Sequence, residues 1–233
     1  MKSVPKLLNK LRRPPAAHNW VKSIKPRRDK TAFALHNFAL FPPRTSLRDA
    51  ISICGQIVYD GIDLEQALKC TDAIKNPENR IRAHWIVKAF FSKARKEGWN
   101  GIQIFRDMVE YFPVSAGVRV PVEPTFVLNQ NGKLTPYFLI CWAQMGFTLE
   151  QKSLFSTIIT KTILTLEEFR DSDAVIVCTP LAVHSKLERD VFSWRVKDFP
   201  LLDDEKEREI FDRYAAALDD AEKMLIESLN KKG

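Results

Sequence analysis

Apolar residues in this chain follow a helical spacing as far as Phe112. They alternate after Pro113 and return to a long helical stripe at the C-terminus. Val4, Leu7, Leu8 and Leu11 lie at i, i+3, i+4 and i+7, with lysines opposite, which predicts a short amphipathic helix before Pro14-Pro15. A piece under three turns long is marginal alone and needs a partner or the body to hold it. Residues 16–30 read as a basic linker. Residues 31–43 (TAFALHNFALFPP) are too apolar for a free linker, so they are expected to lie on the body and end at Pro42-Pro43.

Four helices are predicted next. The first is capped by Ser46 and runs through Ile51, Cys54, Ile57 and Val58 to Gly61. The second opens at Asp63, with Gln66 completing a capping box. The third opens at Asn76-Pro77 and continues through Ile81, Trp85, Val87 and Phe90 to Gly98. A fourth is expected over 101–112.

Beyond Pro113 the spacing becomes two. Val118, Val120 and Val122 alternate, but Pro121 and Pro124 restrict them to an extended segment or an edge strand. Phe126–Leu128 and Leu134–Trp142 flank Asn129-Gln130-Asn131-Gly132 and predict a hairpin, since Asn-Gly supplies the positive φ angles of a tight turn. Thr148 with Gln151, and Thr165 with Glu168, read as two capping boxes. Ala174–Thr179 is a buried-type strand, and Val191–Phe199 alternates. Asp203 caps a final helix whose stripe is Ile210, Phe211, Tyr214, Leu218, Ala221 and Leu225, with Lys231-Lys232 at its end.

The predicted class is α+β. A helical subdomain over 31–112 is followed by a β-β-α-α-β-β-α subdomain over 113–233, a small antiparallel sheet with packed helices. The short valine-rich link between them predicts one shared core.

Charge changes this picture. Residues 1–30 hold ten Lys and Arg against Asp29, or +9, while the whole chain carries +7, so residues 31–233 carry −2. The basic character therefore belongs to the N-terminal segment, which reads as a flexible arm over 1–30. Lys6, Lys10, Arg12, Arg13, Lys22, Lys25, Arg27 and Arg28 are its candidate nucleic-acid-binding residues, and Trp20 among them offers a ring for a base. An acidic protein surface is the other partner such an arm fits, and the leucine face before Pro14 favours a partner with an apolar groove. The nearly neutral body leaves room for a protein partner or self-association.

The remaining composition is that of an ordinary globular chain, 45% hydrophobic and 28% charged. No apolar run reaches the ~18 residues of a membrane span, and no secretory signal follows the first lysines. Cys54, Cys70, Cys141 and Cys178 are far apart, as suits free thiols in a reducing compartment, so a cytoplasmic location is expected.

Candidate chemistry is sparse. Six cations against Glu78 and Glu97 make the third helix +4, and with the helix before it the outline resembles a helix-turn-helix; an amphipathic core helix with a charged outer face gives the same pattern. Cys178 and His184 suggest a thiolate nucleophile, although strand alternation turns Cys178 toward the core with Ala174 and Ile176. Glu167, Glu168, Asp171 and Asp173 form an acidic cluster of the type that holds Mg²⁺, yet they also fit a helix start and its exit turn. The eight glycines include no phosphate-binding loop, and no cofactor or metal site is expected.

The leading expectation is a non-enzymatic binding or assembly protein that engages nucleic acid or an anionic partner through its cationic segment. The alternative is a hydrolase or nuclease near Cys178, His184 and the cluster Glu167–Asp173, lined by the loops 142–148 and 179–190.

Overall fold

The computed structural model describes residues 4–41, 46–99, 108–130, 132–144 and 146–230. Pro42-Pro43, Asn131, Lys231-Lys232 and the first part of the expected helix over 101–112 lie outside those residues.

Three helices open the chain: α1 (Val4–Leu11), α2 (Ala17–Ser23) and α3 (Arg28–Leu40). The expectation of a flexible arm and loose linker is corrected here. Ala17, Trp20, Val21 and Ile24 stand at i, i+3, i+4 and i+7, and all four are buried with Leu7 and Leu11. Burial of that stripe supplies what a seven-residue helix lacks on its own. The apolar segment after Lys30 does lie on the body, as part of α3.

Three further helices follow: α4 (Arg48–Tyr59), α5 (Leu64–Asp72) and α6 (Pro77–Lys96). Asp63 and Gln66 form the expected capping box, and Asn76 caps α6 ahead of Pro77. Ser46 is not the cap: Leu47 occupies that position without a side-chain cap bond, and Ser46 Oγ only accepts from Arg48 N at 3.4 Å.

Strands β1 (Glu110–Ser115) and β2 (Val118–Val122) form a separate two-stranded ribbon. The expected helix therefore gives way to strand from Glu110. Alternation decides it: Phe112 and Val114 face the core beside Val118 and Val120, and a two-stranded ribbon tolerates Pro113 and Pro121 because half its donors have no ladder partner.

The main sheet runs β3–β4–β5–β6 in space, from β3 (Phe126–Gln130), β4 (Lys133–Ile140), β5 (Val175–Cys178) and β6 (Phe192–Arg195). The β3–β4 hairpin closes at Gln130 opposite Lys133, with Gly132 at φ +82°. Helix α7 (Leu149–Lys161) then carries the chain across one face, so β5 pairs parallel to β4, while the other two ladders are antiparallel. Thr148 and Gln151 cap α7 as a box. Thr165 does not begin another: its hydroxyl donates back to Thr162 O, and 163–169 form two single 3₁₀ turns.

Both faces of the sheet are covered. Tyr137, Leu139, Val175 and Val177 meet α4–α6. Phe138, Ile140, Ile176 and Cys178 meet α7, the ribbon, the N-terminal helices and the last helix, α8 (Asp204–Asn230). Double coverage is why β5 reads as an unbroken apolar run. Asp203 Oδ1 accepts from Lys206 N at 2.7 Å and starts α8, whose stripe lies along α3 and across α1. The α+β class stands.

Candidate functional site

Folding of the N-terminal segment engages much of its charge in contacts within the chain, most of them at the surface. Arg12 Nε lies 2.9 Å from Glu222 and Arg28 Nε 2.6 Å from Asp220, both carboxylates on α8. Lys10 Nζ donates to Phe38 O and Ala39 O, closing the end of α3. Arg27 pairs with Asp29. Lys22 lies 3.9 Å from the ring centroid of Trp142, and burial, with Lys25 nearby, pushes its pKa down. Lys25 Nζ donates to Lys22 O. Lys6 and Arg13 are exposed, and no side-chain hydrogen bond or ion pair among the described residues engages them. Trp20 is fully buried with its ring edge-on to Tyr214, so it offers no surface for a base.

A second set of cations lies on α6. Its apolar stripe, Ala83, Ile86, Val87, Phe90 and Ala94, is buried against the sheet, where Phe90 meets Phe126. That orientation turns the charged side chains outward. Arg80 closes the end of α5 through Ile74 O, Arg82 lies 3.6 Å from Glu78, and Lys93 pairs with Glu97. Lys88, Arg95 and Lys96 are exposed. The Lys88 ammonium stands 5.1 Å from the centroid of Trp85, and the Arg95 guanidinium 5.2 Å from that of Phe91.

A groove of about 550 Å³ runs between this face and residues 188–191. Lys88, Lys93, Lys96 and half-buried Trp85 form one wall; Glu188, Arg189 and Asp190 belong to the other. The parallel strands point their carboxyl ends here. Arg189 Nη1 donates to Thr179 O at 3.0 Å and Trp142 O at 3.3 Å, just past the ends of β5 and β4. Strand carboxyl ends are where sheets with parallel pairs commonly present ligand sites. Arg189 Nε is buried without a hydrogen-bond partner, and no carboxylate among the described residues pairs with the guanidinium. Burial pushes its pKa down, and neighbouring Arg82 adds to that. The sequence marks Arg189 only as one charge in a polar loop; its value comes from the fold that places it against two strand ends.

The residues of the alternative reading are spread over different environments. Cys178 is fully buried on the α7 side of the sheet, as its alternation predicts, and burial pushes its thiol up to about 12. His184 is exposed in the loop after β5, at φ +66°. Glu167 and Glu168 start a 3₁₀ turn, exposed Asp171 has φ +63°, and buried Asp173 faces Arg195 at 3.8 Å. Among the described residues, no three His, Cys, Asp or Glu side chains gather in a metal-holding group, and no helix is long and apolar enough to cross a membrane.

No protein-family model, curated protein or solved structure matches this chain.

Proposed function

We propose that this is a non-enzymatic binding protein for nucleic acid, working through the outward face of α6 and the groove beside it. One observation carries the reading. Lys88, Lys93 and Lys96 line a single groove with Trp85 and Arg189, and only two acids, Glu188 and Asp190, line it with them. A cluster of that sign beside an aromatic ring suits phosphates and bases together. Lys6 and Arg13 supply a further exposed charge at the N-terminus.

The test is charge reversal rather than truncation, because removing residues 1–30 would also remove Leu11, Trp20 and Val21 from the core. Labelled DNA and RNA, single-stranded and duplex, are titrated with the full chain across a salt series. The Lys88→Glu/Lys93→Glu/Lys96→Glu variant is expected to bind more weakly, with a salt slope shallower by about 2–3. Lys6→Glu/Arg13→Glu is expected to change it less. Absence of binding at low salt, or an unchanged slope in the α6 variant, overturns the reading.

A further inference from the structure

Arg189 is held in place by the two carbonyls its Nη1 reaches; its Nε is buried without an acceptor, and its Nη2, the edge left for a ligand, has no hydrogen-bond partner among the described residues. A half-buried cation without a counter-ion is costly, and a planar guanidinium recognises phosphate oxygens by geometry as well as charge. Glu188 and Asp190 flank it in sequence, but neither pairs with it. The groove it faces is lined by lysines opposite, so the missing acceptor is best supplied from outside.

Trp85 sits on that lysine wall. Its ring is half-buried, and one neighbour is the Lys88 ammonium, a mobile side chain that a base can displace. A groove of about 550 Å³ falls in the range of ligand-sized pockets. It has room for a nucleotide or two with the base turned out.

We infer that Arg189 and Trp85 form a subsite for single-stranded nucleic acid, with a backbone phosphate on the Arg189 guanidinium and the adjoining base stacked on Trp85. This rests on the nucleic-acid reading above and adds the form of the strand and the residues that select it.

The experiment compares three probes of about ten nucleotides, a length within the usual range of single-strand sites. They are a DNA single strand, the same strand with abasic positions, and a hairpin duplex with the same number of phosphates. Wild-type protein is expected to prefer the intact single strand over the abasic one by about tenfold, the order of one stacked base. Trp85→Leu is expected to abolish that preference by weakening the intact strand to the level of the abasic one. Arg189→Lys, which keeps the charge but loses the fork, is expected to weaken both single strands. If Arg189→Lys fails to fold, the abasic comparison on wild-type protein and Trp85→Leu still decide. Nucleic-acid binding with equal affinity for intact and abasic strands, or a preference that survives Trp85→Leu, overturns this subsite alone. Absence of all binding overturns it together with the reading beneath it.

Discussion

Gln151 Nε2 donates to the backbone carbonyl of Ile24 at 2.7 Å, joining the first turn of α7 to the last turn of α2 across the core. The same side chain accepts from Thr148 N through Oε1 and also reaches Val21 O and Lys22 O. One buried amide thus serves a capping box and closes the end of another helix. Gln151→Glu keeps the acceptor but replaces the donor with an oxygen facing three carbonyls. Its expected cost is about 1–3 kcal/mol, read as a lower midpoint in urea.

Two kinds of contact hold the N-terminal helices, and they differ in weight. Leu11 and Trp20 are buried at 1% and 0% exposure, whereas the Arg12 and Arg28 pairs with α8 lie at the surface. Leu11→Ala is expected to cost about 2–5 kcal/mol and Trp20→Ala about 3–5 kcal/mol. Arg12→Ala and Arg28→Ala are expected to lower the melting temperature slightly in dilute buffer, and not at all near 1 M salt, where screening is short-ranged. Thermal melts at both salt concentrations check the contrast.

The elements easiest to read in the sequence are those whose local chemistry and long-range packing agree. Asp63, Asn76 and Thr148 cap helices whose stripes are buried, and Gly132 turns a hairpin whose strands alternate. Helix α2 was obscured because its stripe, from Ala17 to Ile24, sits among cations that read as a linker. The i, i+3, i+4, i+7 spacing was nevertheless present. Strand β1 follows Phe112 and Val114, which face the core beside the alternating valines of β2; that alternation is legible in the sequence, but the pairing that draws Glu110–Phe112 out of a helix is not. The candidate site divides in the same way. The charge of α6 is visible in its residues, but the groove needs Arg189, brought to it by the ends of two strands far apart in sequence.

Thiol reactivity follows burial. Cys54, Cys141 and Cys178 are buried, and burial pushes their thiols up, Cys141 to about 11 and Cys178 to about 12. Cys70 is exposed. Iodoacetamide at about pH 8 is expected to add one label to the native protein and four to the unfolded chain, counted by intact mass. Cys70→Ser is expected to remove the native label. Rapid native labelling at Cys178 would instead mark an accessible thiolate and revive the nucleophile reading.

His18 gives the fold an acid limit. Its Nε2 lies 2.9 Å from Asn19 Nδ2, its ring faces Trp142 at 5.9 Å, and the residue is half-buried. Burial first, and Lys22 second, lower its pKa from 6.5 to about 4. Between those values the unfolded chain binds a proton that the folded one refuses, so this contribution is complete above about pH 6.5 and is lost as pH falls toward 4. The loss amounts to about 3 kcal/mol at most. Carboxylates titrate in the same window, so the comparison is with His18→Gln, which has no proton to gain. Urea midpoints from pH 7 to pH 4.5 are expected to fall more steeply for the wild type than for the variant. Parallel curves would show that His18 charges as readily in the folded protein as in the unfolded chain.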